Sequence, residues 1–327
     1  SRAVCEKKPD PEVALQWLEE TDKARQSYSF PKQLWGHILV ACGLCVFYGG
    51  AVSDVICAGL CGLFLGLFNR FLGKYNSNTF FQNIASGFAM ALFAYSLAGL
   101  GLARNIDTSV IGTLMLLVPG LLFTNSLRDI IFGDINSGVN RVVTALLIAS
   151  AVALGTAAAW NTAQYFWGIS AVPAPLAHSP LITCTGTAVA CTGFLYVWNI
   201  HGVGKWVCPV GGFLTWAVFC FAKELGFGYA MCCLFGTLFA AAYAEVMARV
   251  RKYPAISYLV IGLISLIPGA NIYYTAQQAL QGNMDRFIQE GTLLVITAGV
   301  MAVGIILVSS TARIIHPIHP PIQVHTK

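Results

Sequence analysis

Apolar runs of about 20 residues recur ten times in this chain, near 33–49, 52–71, 80–100, 107–131, 139–160, 180–199, 205–222, 228–248, 255–280 and 288–311. A coiled run of that length matches the hydrocarbon thickness of a bilayer. In lipid every backbone N–H and C=O must find a partner inside the protein, which helices achieve within one segment. The chain is 57% hydrophobic and 10% charged, where an ordinary soluble domain has about 25% charged residues. The expected fold class is all-α, a polytopic membrane protein of ten transmembrane helices.

The ten runs fall into two related groups of five. LVPG at 117–120 and Gly133, Ala149, Ala153 and Gly155 are matched by LIPG at 266–269 and Gly282, Ala298, Ala302 and Gly304, each 149 residues later. Gly87 with Gly236 and Ala91 with Ala240 keep the same spacing. A fixed offset of this kind signals an internal repeat. With an odd number of spans per repeat, the second must enter the membrane from the opposite side. The expectation is two inverted five-helix repeats, a recurrent plan of secondary transporters. If the N-terminus is inside, 16 of the 19 Lys and Arg residues fall on the inner side, and only Arg104, Lys223 and Arg286 fall outside. That asymmetry favours ten spans with both termini cytoplasmic.

The domain expectation follows: a cytoplasmic N-terminal segment 1–32 (remnant of a longer soluble region), repeats 33–160 and 180–312, an extracytoplasmic linker 161–179, and a cytoplasmic tail 313–327. Cysteines such as Cys42, Cys45, Cys57, Cys61, Cys232 and Cys233 lie in apolar spans and read as reduced packing residues. The C42-G-L-C45 spacing lacks the βαβ context of a redox motif. HPIHPPIQVH near the C-terminus reads as a Pro-rich tail, not a metal site. No phosphate loop, zinc pattern or nucleophile–base constellation appears, so no cofactor, metal, enzyme activity or nucleic-acid partner is expected. The small-residue stripes Gly62/Gly66 and Gly236/Ala240/Ala244/Ala248 suit close helix packing.

The stretch LVPGLLFTNSLRDIIFGDINSG, 117–138, interrupts an apolar run with Pro119–Gly120 and then brings charge. Pro268–Gly269 interrupts the equivalent run. A broken helix in lipid survives only where protein or a water-filled cavity receives its freed backbone groups, and a pair of such breaks points to a transporter's binding site. A half-helix beginning after each break offers free N–H groups and a positive dipole end to a carboxylate. Asn125, Arg128, Asp129 and Phe132 share a face by i, i+3 and i+4 spacing; the second repeat offers Asn271, Tyr273, Tyr274, Gln277 and Gln278 instead. The plainer alternative is that Pro-Gly only kinks two helices and that Arg128 and Asp129 reach the surface as loop charges.

The segment PGLLFTNSLRDIIFGDINSGVNR resembles the signature of the threonine/serine exporter family. VFYGG at 46–50 followed by Asp54, AEVMARVRKYPAISYLVIGLISLIPG and YYTAQQALQGN carry the resemblance on, over about residues 30–312. The resemblance implies two fused domains that some relatives carry as separate chains. It implies export of L-threonine and L-serine driven by the proton motive force, and a longer soluble N-terminal region. Split relatives have been linked to dicarboxylate export, which keeps that substrate class as an alternative, beside a passive channel and a non-transporting membrane scaffold.

The expected substrate-binding residues are Pro119, Gly120, Asn125, Arg128, Asp129, Pro268, Gly269, Tyr274 and Gln277. Asp129, Asp134 and Glu245 are the proton-coupling candidates, with Glu245 also one turn from Arg249. The expected partners are a small amino acid, protons and the lipid bilayer, with room for a homo-oligomer.

Overall fold

The computed structural model describes residues 10–23, 27–75, 78–168, 173–251 and 253–315. Residues 1–9 and 24–26 of the segment expected at 1–32, and the His-Pro tail from His316 in the segment expected at 313–327, lie outside them. Among the described residues the regular structure is helical throughout. A short helix α1 (Pro11–Lys23) precedes α2 (Phe30–Phe47), α3 (Val52–Leu72), α4 (Thr79–Gly99), α5 (Ile106–Leu114), α6 (Gly120–Ile131) and α7 (Ile135–Trp167). Then follow α8 (Pro180–Val197), a 3-10 turn (Val203–Trp206), α9 (Val207–Glu224), α10 (Tyr229–Arg251), α11 (Ala255–Gly262), α12 (Gly269–Leu280) and α13 (Met284–Ile315).

Among the described residues, eight helices are long and apolar enough to cross a membrane: α2, α3, α4, α7, α8, α9, α10 and α13. The runs expected as the fourth and ninth spans are each delivered as two short helices, α5 with α6 and α11 with α12, separated at the Pro-Gly pairs. The starts of α6 and α12, Gly120 and Gly269, lie 149 residues apart, as do their ends. Helix α7 runs on to Trp167, into the segment expected as a linker, and ends at Gly168 with φ 61°, where glycine closes a helix without steric cost.

Small residues set the closest approaches. A Cβ on Gly43 would meet the Ala190 N and Gly186 O atoms at 2.5 and 2.6 Å, and one on Gly193 would meet Gly36 O and Val40 N at 2.6 Å. Helices α2 and α8 therefore touch backbone to backbone, as association in lipid favours. Gly87 and Gly155 let α4 and α7 approach in the same way. Outward, large apolar side chains are bare: Val52 is 79% exposed and Phe221 67%. That is the surface of a protein whose surroundings are hydrocarbon. The ten described cysteines are free thiols, most of them buried.

Packing does not follow chain order. Helices α2, α3, α5, α8, α9 and α11 pack together, and α6, α7, α12 and α13 form a second group in which α6 lies on α13 and α12 on α7. Helices α4 and α10 touch both groups.

Asp54 fixes one corner of the first group. Its carboxylate is fully buried. Oδ2 accepts from the Ala51 amide at 2.8 Å, and Oδ1 accepts from the amides of Arg104 and Asn105 at 2.7 and 2.8 Å. The Ser109 hydroxyl donates to the Asp54 carbonyl at 2.7 Å. One carboxylate thus caps α3, holds the α4–α5 connection and orients α5.

Candidate functional site

The two breaks have the same geometry. At the first, Pro119 has φ −85° and ψ 45° and the Gly120 amide donates to Val118 O at 3.0 Å. At the second, Pro268 has φ −76° and ψ 46° and the Gly269 amide donates to Ile267 O at 2.7 Å. Each is an inverse γ-turn, and proline supplies the required φ. The first amides with intrahelical partners are those of Phe123 and Ile272, which donate to Pro119 O and Pro268 O at 3.1 Å each. The amides of Leu121, Leu122, Ala270 and Asn271 have no hydrogen-bond partner among the described residues. They are the free donors of two helix N-termini.

The breaks also meet. A Cβ on Gly120 would lie 3.1 Å from Gly269 Cα and 3.2 Å from its nitrogen, and would collide with the Ile267 side chain. A Cβ on Gly269 would lie 2.9 Å from Met115 Sδ. At Gly120 an added Cβ would press on the Gly269 backbone, whereas at Gly269 it would meet the flexible Met115 side chain. Around the meeting point is a cavity of about 300 Å³, lined by Pro119, Gly120, Leu121, Leu122, Ile267 and Gly269 from the breaks, among other residues. Leu44, Phe47 and Tyr48 of the α2 end and Phe194 and Trp198 of the α8 end complete its walls. Its character is apolar, and no Lys, Arg, Asp or Glu among the described residues lines it.

Tyr48 and Trp198 occupy matching positions. Each is the residue after its helix, with φ and ψ of −85° and 9° and of −91° and 11°. The next residues are left-handed, Gly49 at φ 88° and Asn199 at φ 56°. Asparagine is among the few non-glycine residues that tolerate this. The amides of Gly50 and Ile200 reach back to Cys45 O and Leu195 O at 2.9 and 2.8 Å, the closing bond of a Schellman motif.

Of the expected binding residues, Pro119, Gly120 and Gly269 line the cavity, and Pro268 is buried between Ile267 and Gly269, which do. Asn125, Tyr274 and Gln277 lie one to two turns beyond the breaks, off the cavity wall. They are half-buried, and their polar ends have no hydrogen bond among the described residues. Arg128 and Asp129 stand farther along α6. Arg141 of α7 donates to Asp129 Oδ2 at 2.5 Å, and Arg128 is a looser neighbour at 3.9 Å. Asp134 is exposed and caps α7 by accepting from the Ser137 amide at 3.3 Å. Glu245 pairs with Arg249 one turn away at 3.2 Å, beside a separate groove between α10 and α13.

Sequence reasoning passed over Tyr48, Trp198 and Glu290. Asn271 Nδ2 donates to Glu290 Oε2 at 3.0 Å, joining α12 to α13. No cation pairs with Glu290 among the described residues. Glu290 is the residue 149 positions after Arg141, so the repeat spacing applied to charged residues, and not only to glycines, would have found it.

Residues 1–163 match the family described as "Putative threonine/serine exporter", and residues 183–311 match "Threonine/Serine exporter, ThrE". A "Threonine/serine exporter" of Corynebacterium glutamicum is 25% identical over 321 residues, covering 93% of this chain. The chain spans 63% of that relative's length. No solved structure matches.

Proposed function

The chain belongs to the threonine/serine exporter family, and from that premise we propose that it exports small amino acids, L-threonine and L-serine, out of the cytoplasm at the expense of the proton motive force. It is a multi-pass membrane protein. The finer reading has ten spans, counting each broken pair as one, in two inverted repeats over 33–160 and 180–312. The membrane is the inner (cytoplasmic) one, with both termini cytoplasmic. The identical break geometry and the shared spacing of 149 residues support that reading.

The observation that carries the function is the meeting of two helix breaks at one central cavity. A substrate carboxylate there is received by the amides of Leu121 and Leu122 at the positive end of α6, with the N-terminus of α12 opposite. Tyr48 and Trp198 supply the remaining polar atoms of the lining. The apolar walls suit one small side chain. They disfavour a dicarboxylate, whose second charge would be desolvated with no cation lining the cavity. Asn125, Tyr274 and Gln277 line the route between cavity and surface. Asp129, held by Arg141, is the first proton-coupling candidate on the α6 side, and Glu290 with Asn271 is its counterpart on the α12 side. Asp134 and Glu245, engaged as a helix cap and an ion pair, are the weaker candidates.

The test is efflux of labelled threonine from preloaded proteoliposomes, with and without an imposed proton gradient. Gradient-driven efflux that Asp129→Asn removes supports a coupled exporter. Efflux indifferent to the gradient means a channel. Absence of threonine and serine efflux from intact protein refutes the assignment.

A further inference from the structure

A second pocket, of about 310 Å³, lies at the start of α2, away from the central cavity, and is lined by Tyr28, Lys32, Trp35, Leu39, Tyr196 and Lys205. From this pocket we infer a binding site for one anionic phospholipid, with its phosphate between Lys32 and Lys205 and an acyl chain along Trp35 and Leu39.

The wall is built before any ligand arrives. The Tyr28 amide donates to Asn199 Oδ1 at 2.8 Å, and its hydroxyl donates to Ile200 O at 3.0 Å. Its ring stacks on His201 at 4.0 Å and leans on Tyr196 at 5.0 Å. Lys205 Nζ donates to the Tyr28 hydroxyl at 3.1 Å. It also stands 5.3, 5.6 and 5.1 Å from the ring centres of Tyr28, Tyr196 and Trp206. Rings hold an ammonium in place without cancelling its charge. Neither Lys205 nor Lys32 pairs with a carboxylate among the described residues.

The polarity of the pocket runs in one direction. Lys32, Trp35 and Leu39 fall on one face of α2 at successive turns, in the order cation, aromatic, aliphatic. A phospholipid has that order along its length: phosphate, glycerol backbone, acyl chain. Trp35 is 63% exposed at the first turns of a membrane helix, where tryptophan marks the boundary between headgroup and hydrocarbon. The close approach at Gly36, where a Cβ would be 2.9 Å from Gly193 O and Tyr196 Cβ, brings α2 and α8 together as the floor of the groove. A soluble anion would satisfy the lysines and leave Trp35 and Leu39 unused. Basic pockets between membrane helices are a known form of headgroup site.

The experiment is native mass spectrometry of the full chain, released from detergent with phosphatidylglycerol or phosphatidylcholine of the same acyl chains. The wild type retains one phosphatidylglycerol in preference to phosphatidylcholine. Lys32→Gln and Lys205→Gln each weaken that retention about fivefold, and about 25-fold together. Lys205→Arg keeps it. Lys32→Gln, at an exposed side chain with no hydrogen bond or ion pair among the described residues, carries the test alone if the double variant does not elute as a single species. Equal retention of the two lipids, or an unchanged preference in the Lys32→Gln variant, overturns the inference. Competition by glycerol 3-phosphate as effective as that of the whole lipid also overturns it, assigning the pocket to a soluble anion.

Discussion

Replacing Asp54 separates two roles open to a buried carboxylate in a membrane protein, a structural one and a part in the proposed proton coupling. The structure gives it the first. Three backbone amides, of Ala51, Arg104 and Asn105, converge on its two oxygens within 2.8 Å, and none of its surface is exposed. Hydrogen bonds to a charged group contribute about 1.5–3 kcal/mol each, and a buried donor left unpaired costs about 1–3 kcal/mol. Asp54→Ala orphans three donors, a sum of about 3–9 kcal/mol, but Arg104 lies at the exposed edge of the site, where its amide can turn toward solvent. We expect a loss of about 4 kcal/mol, near the lower end of the sum. Asp54→Asn keeps the shape. Its single carbonyl can serve the Arg104 and Asn105 amides, which leaves its NH₂ facing the Ala51 N–H. Charge assistance goes and one donor is orphaned, a loss of about 2–3 kcal/mol. The order of stability is wild type, then Asn, then Ala, read by denaturant or thermal unfolding of purified protein in one detergent. Efflux per folded molecule at low temperature should be close to wild type for Asp54→Asn. The result that refutes this reasoning is an Asp54→Asn protein as stable as wild type that has lost gradient-dependent efflux, because Asp54 would then be acting as a titrating group.

Three further substitutions test the packing and the polar pair of the second half. Gly193→Ala puts a methyl group against backbone atoms at 2.6 Å that cannot turn aside, so α2 and α8 must part. The net loss is about 1–2 kcal/mol after the gain in helix propensity, whereas Gly299→Ala, with open space around it, gains up to about 1 kcal/mol. Unfolding midpoints of the two variants moving in the same direction would contradict the structure. Glu290→Gln can keep an oxygen facing Asn271 Nδ2, so its stability should fall by less than about 1 kcal/mol. Gradient-driven efflux that falls more than tenfold in that variant, with unfolding unchanged, assigns Glu290 to coupling; unchanged efflux removes it from the list of candidates.

The parts of this molecule legible in the sequence were those that depend on local chemistry. Proline with glycine at a fixed spacing announced both breaks, because a missing amide and a fixed φ interrupt a helix wherever they stand. The apolar runs announced the long helices. The end of α7 was harder: Asn161, Thr162 and Gln164 read as linker, yet the helix continues to Trp167 because its backbone bonds close regardless of polar side chains. The neighbours of a helical face were not legible at all. Spacing aligned Arg128 with Asn125 and Asp129 on α6, but the cation that grips Asp129 is Arg141, on the next helix. Asp54 was visible as a residue, while the amides that surround it come from a connection some 50 positions away. Tyr48 and Trp198 carry no signal in the sequence, because only the fold brings the two helix ends to one cavity.

The packing exchange between the two parts of the chain bears on what can move. The boundary between the α2–α3–α5–α8–α9–α11 group and the α6–α7–α12–α13 group does not fall at the connection following α7. It cuts each interrupted run at its break, between Leu114 and Gly120 and again between Gly262 and Gly269. The breaks therefore lie on the boundary between the two groups, which α4 and α10 bridge, and any movement of one group against the other would bend the chain at Pro119–Gly120 and Pro268–Gly269. Such a movement would leave the packing within each group intact. A chain severed after α7 would yield two fragments, each with its last helix lacking the surface it rests on in the other, so neither fragment should move substrate until the two are made together.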